Sequence, residues 1–308
     1  MNKPKVAILG VTGMLGSITL DSFVVSEEFS VIATLRDKEK IPKLKIVYPD
    51  VEFRILDAEV ANEKEIQDAV AGAEWVVNAI GIIKSYIHDD NPKETERAIR
   101  VNSLFPELLA KAAKKTDARV LQIATDCVYS GEKGAYKETD LHDAIDVYGK
   151  TKSLGETYEE NVHHLRCSII GPEISAHVSL MDWFLGQEQN SSVNGYTNHQ
   201  WNGVTTLHYA RLCQGIIKSN LGLAHIQHIV PGNLISKANL LRAFANEFNR
   251  KDITVVDVEA PKVIDRTLST DNSDVNLRIW QSAGYDSPPT MEEMVKEIAS
   301  YKIKLTEV

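Results

Sequence analysis

The stretch Lys5-Val-Ala-Ile-Leu-Gly-Val-Thr-Gly-Met-Leu-Gly16 lies near the start of the 308-residue chain and decides its fold. Its first five residues predict a buried strand, and residues 14–26 predict a helix. Glycines between a strand and a helix permit a tight turn and let the backbone approach a pyrophosphate at the helix N-terminus. The turn therefore predicts a dinucleotide site, with a purely structural turn as the alternative. The residues expected to contact the dinucleotide here are Gly10, Thr12, Gly13, Met14, Leu15 and Gly16.

The rest of the first half alternates short apolar strands with helical segments. Strands are predicted at 31–35, 52–56, 75–79, 119–124 and 164–169, and helices at 61–70, 91–115 and 146–161. This alternation predicts an α/β fold with a Rossmann-type, doubly wound parallel sheet covered by helices on both faces. We expect residues 1–172 to form an NAD(P)-binding Rossmann domain.

The pattern changes after Gly171-Pro172. The second half predicts a loop with a short helix at 183–196, helices at 207–220, 236–249 and 290–301, and strands at 224–230 and 253–258. Ser236 is a predicted N-cap, and Thr290 with Glu293 forms a predicted capping box. We expect residues 173–308 to form a smaller C-terminal α/β substrate-binding domain, and the return of some segments to the first sheet stays open.

The composition excludes several classes of protein. The chain has 34 basic and 43 acidic residues, a net charge of -9 and three cysteines. A nucleic-acid partner is not expected because neutralising phosphates needs a basic surface. The cysteines predict no disulfide framework and no zinc site, and the histidines lack the spacing typical of metal ligands. We see no targeting signal and no apolar run long enough for a bilayer, so we expect a soluble cytoplasmic protein with no metal and no membrane partner.

The end of the second predicted strand bears on the choice of cofactor. An acidic residue there binds the ribose 2′-hydroxyl of NAD, whereas an arginine accommodates the 2′-phosphate of NADP. The segment is Thr34-Leu35-Arg36-Asp37, and the guanidinium fork of Arg36 suits a phosphate dianion. NADP(H) is therefore favoured. NAD(H), bound through Asp37, and a solvated Arg36 are the alternatives.

Three polar residues are placed to form a catalytic group. Thr125 closes the fifth predicted strand, and Tyr148 and Lys152 lie four residues apart, on one face of the next helix. A neighbouring ammonium lowers the pKa of a tyrosine toward the working range of an acid–base catalyst. The Thr125 hydroxyl lies at the carboxyl end of its strand, where ligands bind in open α/β sheets, and could hydrogen-bond a substrate carbonyl.

Together with the glycine turn, these residues resemble the extended short-chain dehydrogenase/reductase family. The resemblance extends to Asp57 after the third strand, to Asn78-Ala-Ile-Gly81 after the fourth and to Asn102 in the long helix. It implies that Tyr148 and Lys152 also contact the cofactor. The further cofactor-binding residues that it implies are Asp57, Ala58, Asn78, Ala79, Ile80 and Gly81.

Three longer motifs are similar to the dTDP-4-dehydrorhamnose reductase branch of that family: Ile123-Ala-Thr-Asp-Cys-Val-Tyr-Ser-Gly131, Tyr136-Lys-Glu-Thr-Asp140 and Tyr148-Gly-Lys-Thr-Lys-Ser-Leu-Gly-Glu156. This resemblance implies reduction, by NAD(P)H, of the 4-keto group of a nucleotide-linked 6-deoxyhexose. It makes Tyr148 the proton donor, Lys152 the residue that tunes it and holds the nicotinamide ribose, and Thr125 the residue that orients the carbonyl. It also implies that Asn102 supports a proton relay.

Two departures from that branch leave the sugar and the nucleotide open. Ile169 stands where those enzymes typically have a substrate-contacting tryptophan, and residues 194–203 are unlike the usual form. The candidates for substrate binding comprise an acid, three cations, three aromatic residues and two amides. They are Asp126, Arg166, Lys237, Arg266, Trp183, Tyr196, Trp201, Asn198 and Asn202. The alternative to substrate binding is a position on the surface for each cation. For the aromatic residues, the alternative is that they anchor loops on the core.

The leading hypothesis is a nucleotide-sugar 4-ketoreductase that supports a surface polysaccharide or a glycosylated product. An epimerase or 4,6-dehydratase on the same scaffold is the second. Related dehydratases have a glutamate after the Thr-Asp pair, where this chain has Cys127, which we interpret as a packing residue rather than a nucleophile. A non-catalytic, NADP-binding regulatory subunit is the third. The family resemblance also implies a homodimer formed through helices 91–115 and 146–161.

Overall fold

The computed structural model describes residues 3–174 and 177–305. The strands, in chain order, are β1 (Lys5–Leu9), β2 (Ser30–Leu35), β3 (Glu52–Ile55), β4 (Trp75–Asn78), β5 (Arg119–Ala124), β6 (Val162–Arg166), β7 (Ile169–Ile170), β8 (Ser192–Tyr196), β9 (Gln200–Trp201), β10 (Val204–Thr205), β11 (Ile226–His228), β12 (Ile235–Ser236) and β13 (Thr254–Val258).

The helices are α1 (Met14–Val25), α2 (Ile41–Val47), α3 (Glu63–Val70), α4 (Pro92–Ala98), α5 (Phe105–Lys115), α6 (Val147–Leu154), α7 (Leu180–Leu185), α8 (Thr206–Ser219), α9 (Lys237–Glu247), α10 (Ser273–Ser282) and α11 (Met291–Ser300). A π-helical segment, Ile99–Leu104, joins α4 to α5.

The central sheet has seven strands in the order β11-β6-β5-β4-β1-β2-β3, and every neighbouring pair is parallel. The chain reverses its direction across the sheet between β1 and β4, and ligands bind beside such a switch point in doubly wound folds. The predicted fold class, a Rossmann-type parallel sheet with smaller C-terminal α/β elements, is confirmed.

Side chains of β1 alternate between two cores, as the pleat of a strand requires. Val6 and Ile8 pack with residues of α1 and α8 on one face of the sheet. Ala7 and Leu9 pack with residues of α3 and α5 on the other face. All four side chains are fully buried, so β1 reads as a continuous apolar run, as strands covered on both faces do.

The helix predicted at 91–115 is divided by the π-helical segment. Proline has no N–H, and inside a helix its ring clashes with the carbonyl four residues earlier, which for Pro106 is that of Asn102. The chain widens here, and the Phe105 N–H donates to the carbonyl of Arg100, five residues back. A Cβ on Gly155 would lie 1.9 Å from the Asn102 carbonyl oxygen, so glycine lets the end of α6 pack against this segment.

The helix predicted at 146–161 is shorter in the structure, where α6 ends at Leu154. Its start is as predicted, because the Asp146 side chain caps it by accepting a hydrogen bond from the Gly149 N–H at 2.7 Å. Gly155 follows the last residue of α6, and β6 begins at Val162, two residues before the predicted strand. The prediction extended the helix into the polar connection to that strand.

The second half of the chain contributes a strand to the central sheet and a helix to the layer that covers it. Strand β11 extends the central sheet beside β6, and α8 packs on α1. The predicted loop at 183–196 contains the strand β8, which pairs in parallel with β13. This strand was not predicted because Asn194 and Gly195, within β8, have low strand propensity. The helices α2 and α10 were not predicted. The Ser236 cap and the Thr290–Glu293 capping box are confirmed.

Across the described ranges, the helices are too short and too polar for any of them to traverse a lipid bilayer.

Candidate functional site

The glycine turn after β1 is closed by its own backbone. The N–H groups of Gly10 and Val11 donate to the Thr34 carbonyl at 3.1 and 3.0 Å, and Gly10 has a φ of +79°, in the region that favours glycine. A Cβ on Gly16 would lie 2.1 Å from the Gly10 carbonyl oxygen. The turn therefore needs glycine at both positions to bring the start of α1 against β1, and it leaves Gly13 at the helix N-terminus.

A groove of about 630 Å³ runs from this turn across the carboxyl ends of β1, β2, β3 and β4. Ten residues predicted to bind the cofactor line it, namely Gly10, Thr12, Gly13, Met14, Arg36, Asp57, Ala58, Ala79, Ile80 and Gly81. These residues fit a dinucleotide, since a glycine cradle and a helix N-terminus stand at the switch point of the sheet.

Five other residues predicted to contact the cofactor do not line the groove, namely Leu15, Gly16, Asn78, Tyr148 and Lys152. Leu15 is a core side chain, and Gly16 supports the turn by close packing. The Asn78 side chain is fully buried, donates to Gln122 Oε1 at 2.7 Å and accepts a hydrogen bond from the Ile80 N–H at 3.0 Å. Leu15, Gly16 and Asn78 thus support the groove from beneath, and their contact with the cofactor stays a prediction.

The outer end of the groove is charged. Arg36 and Arg97 both approach Glu59 Oε1, with Arg36 Nη1 at 3.4 Å and Arg97 Nε at 2.6 Å. Asp37, the alternative ribose-binding residue, accepts a hydrogen bond from the Glu39 N–H at 3.0 Å through Oδ1 and so caps a short turn. Glu59 and Arg97 were not predicted, because they lie far along the chain from the strand end that signals cofactor choice.

The structure places Tyr148, in α6, near Thr125, which follows the carboxyl end of β5. Thr125 accepts a hydrogen bond from the Cys127 N–H at 3.2 Å and donates to Asp126 Oδ1 at 3.2 Å. Burial is the main cause that raises the pKa of Tyr148 well above its ordinary range. The predicted lowering of this pKa by the neighbouring Lys152 ammonium is not seen, and the phenol is protonated at neutral pH.

Lys152 is 8% exposed and donates from Nζ to the Ile123 carbonyl at 3.1 Å. Burial lowers the pKa of Lys152 to about 8. A Cβ on Gly81 would lie 3.8 Å from this ammonium, so Lys152 stands at the inner end of the groove. A lysine here can hold a polar group of a ligand that extends along the groove toward Tyr148.

Asn102 lies in the π-helical segment and fixes the chain that follows β4. Its side chain accepts a hydrogen bond from the Ile82 N–H at 2.8 Å and donates to the Ile82 carbonyl at 3.0 Å. A Cβ on Gly81 would lie 3.5 Å from Asn102 Oδ1. The side chain thus holds the wall of the groove beside Lys152, and its part in a proton relay stays a prediction.

Charged residues from distant segments surround the Thr125–Tyr148 pair. Asp126 is 7% exposed, and burial raises the pKa of its carboxyl, while Arg266 and Lys237 oppose that shift. Burial lowers the pKa of Lys237, and Asp126 opposes this shift. Arg266 donates from Nε to the Tyr129 carbonyl at 2.7 Å. The structure therefore places two of the three predicted cations near Asp126, the residue next to Thr125.

Arg166, the third predicted cation, is fully buried, and this prediction is wrong. Its guanidinium donates to the Glu156 carboxylate and, at 2.7 Å, to the Tyr129 hydroxyl. It also contacts the ring nitrogens of His228 and His142 at 2.8 and 2.9 Å. A guanidinium enclosed by these groups has no path to a substrate, so Arg166 is a structural residue.

Three further candidates anchor loops. Asn198 donates to the Ala260 carbonyl at 3.0 Å and accepts from the Ala260 N–H at 2.9 Å. Asn202 makes the same pair of hydrogen bonds with the backbone of Leu268, and Trp201 packs in the main core. The loop-anchoring alternative thus describes them better than substrate contact. Trp183 and Tyr196 are exposed, at 42% and 37%, and stay accessible to a ligand.

No group of three or more histidine, cysteine, aspartate or glutamate side chains that could hold a metal ion occurs within residues 3–174 and 177–305.

The sequence and the structure are similar to characterised proteins. A family model described as the RmlD substrate binding domain matches residues 4–302. A dTDP-4-dehydrorhamnose reductase from Aggregatibacter actinomycetemcomitans is 29% identical over 153 residues, which cover 49% of this chain and 45% of that protein. The chain thus spans less than half the length of this curated relative.

Two solved structures share the fold over nearly the whole chain. A dTDP-4-dehydrorhamnose reductase from Bacillus anthracis, in complex with NADP, has a TM-score of 0.71 at 17% identity and covers 96% of this chain and 99% of its own. A UDP-glucuronic acid 4-epimerase from Bacillus cereus, in complex with UDP-glucuronic acid and NAD, has a TM-score of 0.72 at 15% identity, with 96% and 98% covered.

Proposed function

The chain belongs to the RmlD substrate binding domain family, and on this premise we propose that it is an NADPH-dependent reductase of the 4-keto group of a nucleotide-linked deoxysugar. The observation that carries the proposal is the placement of Tyr148 and Lys152 four residues apart on α6, near Thr125 at the carboxyl end of β5, with the Lys152 ammonium beside Gly81, which lines the groove that begins at the glycine turn. The reduced sugar would serve a surface polysaccharide or a glycosylated product.

The cofactor proposal rests on the groove. The glycine turn would hold the pyrophosphate, and Arg36 would face the adenosine ribose. Asp37 has one carboxylate oxygen engaged in capping, which favours NADP(H) over NAD(H). Bound NADPH would supply a hydride to the keto carbon of the sugar.

The protein residues would supply the proton and the orientation. The raised pKa of Tyr148 keeps its phenol protonated, which is the form that donates a proton to the developing alkoxide. The ammonium of Lys152, at the inner end of the groove, would hold the nicotinamide ribose and favour the phenolate left after transfer. The Thr125 hydroxyl would hydrogen-bond the same carbonyl oxygen and align it with the phenol.

The charges around this pair suit a nucleotide-linked substrate. Lys237 and Arg266 are cations in an otherwise acidic protein, and we propose that they hold the diphosphate, while Asp126 accepts a sugar hydroxyl. Tyr196 and Trp183, both exposed, are the candidates for stacking on the base or the sugar.

Dehydration is disfavoured by the residue that follows the Thr125–Asp126 pair. Burial raises the pKa of the Cys127 thiol to about 12, so this group is neither an acid nor a base at neutral pH. A 4,6-dehydratase needs an acid–base group to act on the sugar ring. Cys127 does not provide one, which supports a reductase.

We also propose a homodimer in which α4, the π-helical segment, α5 and α6 of one copy meet those of another. Four large apolar side chains are exposed on or beside these elements, namely Ile99, Leu104, Leu154 and Tyr158. Burying such a patch is favourable. Sedimentation of the wild type and of Leu154→Glu tests this: a dimer that the glutamate dissociates supports the proposal, and a monomeric wild type contradicts it.

The test of the activity is NADPH consumption with a panel of UDP-, dTDP- and GDP-linked 4-keto-6-deoxyhexoses, run with the wild type and with Tyr148→Phe. Consumption with one substrate, lowered roughly 10²–10⁴-fold by the loss of the proton donor, supports the reductase and identifies the nucleotide. No consumption across the panel, with NADPH binding intact, would contradict the reductase and favour an epimerase or a regulatory subunit.

A further inference from the structure

Two arginines from distant parts of the chain meet on one carboxylate oxygen at the outer end of the groove. Arg36 follows β2, Glu59 follows β3, and Arg97 lies in the last turn of α4. Arg36 Nη1 and Arg97 Nε approach the same atom, Glu59 Oε1, at 3.4 and 2.6 Å. All three side chains line the groove.

The charges of this cluster do not cancel. Two guanidinium groups and one carboxylate leave one positive charge, and each guanidinium has five N–H donors of which the contact with Glu59 engages one. The nearby carboxylates of Asp37 and Asp57 each accept a backbone N–H, from Glu39 and from Glu59, at 3.0 Å. The charge of Arg36, Arg97 and Glu59 taken together is positive, and each guanidinium keeps N–H donors for a further anion that Glu59 does not engage.

The side chains can also rearrange at small cost. Arg36 is 63% exposed and Arg97 is 40% exposed, so neither ion pair is desolvated and each contributes little on its own. An incoming phosphate dianion carries more charge than a carboxylate and presents three acceptor oxygens, which two forked guanidinium groups can share.

We propose that Arg97, acting with Arg36, forms a two-arginine clamp for the 2′-phosphate on the adenosine ribose of NADP(H), and that Glu59 holds both guanidinium groups on the groove. The inference rests on the proposed NADPH dependence and adds a residue that the strand-end rule for cofactor choice does not identify. In this arrangement selectivity for NADP(H) depends on α4 as well as on the end of β2.

Binding of two adenosine fragments to the full-length protein, measured by calorimetry, tests the clamp without any turnover. The fragments are adenosine 2′,5′-bisphosphate and 5′-AMP, which differ in the 2′-phosphate. We expect Arg97→Ala to weaken binding of the bisphosphate about tenfold, which is the loss expected for a charge-assisted hydrogen bond. The same substitution should change binding of 5′-AMP less than about twofold. Arg36→Ala should act in the same way.

Arg100→Ala is the matched control, because Arg100 lies one turn further along and pairs with Glu96 outside the groove. It should change neither affinity, and thermal unfolding of all three variants verifies that they fold. Equal losses for both fragments in Arg97→Ala would place this arginine on the adenine and overturn the clamp, as would no loss at all. Because no keto-sugar substrate is present and no turnover occurs, either result is independent of the 4-ketoreductase proposal.

Discussion

The proposed cofactor side and the proposed substrate side of the site are built in different ways. The cofactor side begins with a local motif, the turn from Gly10 to Gly16, in which the shape of the backbone requires glycine, although other residues of the groove come from distant segments. On the substrate side, side chains from distant segments meet, as Asp126, Lys237 and Arg266 do. The comparison teaches that a local motif can identify a site for a common cofactor, whereas a site for a particular substrate depends on tertiary contacts.

The largest expected effect concerns Arg166, which chemical type alone would place on the substrate side. Arg166→Met leaves the Glu156 carboxylate buried without its partner and should lower the free energy of unfolding by about 3–5 kcal/mol. Urea unfolding measures this loss. The double variant Arg166→Met/Glu156→Gln, which removes both charges, should recover part of it.

The structural role of Arg166 would be contradicted if Arg166→Met had the stability of the wild type and a raised KM for the nucleotide sugar. Arg166 would then belong to the substrate side, in spite of its burial.

The next effect tests whether backbone shape controls the cofactor side. Gly16→Ala places a Cβ 2.1 Å from the Gly10 carbonyl oxygen, so the turn must shift, and NADPH affinity should fall by about 1–3 kcal/mol, the usual cost of overpacking. Gly222→Ala is the control, because a Cβ there would meet no atom within 4 Å and this residue does not line the groove. Fluorescence titration with NADPH measures both, and equal losses would refute a specific need for glycine at residue 16.

A smaller, pH-dependent effect is expected at Lys152, where the two sides meet. Burial lowers the pKa of Lys152 to about 8, so its ammonium is present below that pH and is lost as the pH rises through it. The value of kcat/KM should therefore fall about tenfold per pH unit above that point. Lys150→Ala, at an exposed position two residues away, should keep the same profile. A flat profile between pH 7 and 10 would contradict a catalytic ammonium.

The smallest expected effect is at Asn198, a residue of the substrate side that anchors a loop. Asn198→Ala removes two hydrogen bonds to the Ala260 backbone and should lower the free energy of unfolding by about 1 kcal/mol while leaving KM within about twofold. Thermal unfolding and steady-state kinetics measure the two quantities. A stable variant with a strongly raised KM would place Asn198 in contact with the substrate.

The sequence predicted the central sheet well because its strands are short apolar runs separated by helices. β1 and β5 have the predicted bounds, and the Thr290–Glu293 box marks α11, since these signals act between residues close in sequence. The division of the helix predicted at 91–115 was missed, although Pro106 was a signal for it. Strand β8 was missed because Asn194 and Gly195 have low strand propensity and its pairing with β13 is distant in sequence.

The candidate site shows the same difference between local signals and contacts that are distant in sequence. The spacing of Tyr148 and Lys152 and the strand end at Thr125 are local patterns, and of these residues Lys152 lies beside Gly81 in the wall of the groove, while their catalytic roles stay a prediction. Chemical type alone does not separate the buried Arg166 from Arg266, because both are arginines and only packing distinguishes them. The same reason hid Glu59 and Arg97, which become neighbours of Arg36 through the fold.

The most direct test of the reductase proposal is to follow the transferred hydrogen. The wild type would be incubated with NADPH carrying deuterium at both hydrogens of nicotinamide C4 and with the 4-keto sugar nucleotide that the panel identifies. Our account predicts one deuterium at C4 of the product sugar, detected by mass spectrometry and NMR, in step with the NADPH consumed. A sugar without deuterium at C4, whether unchanged, epimerised or dehydrated, would contradict it.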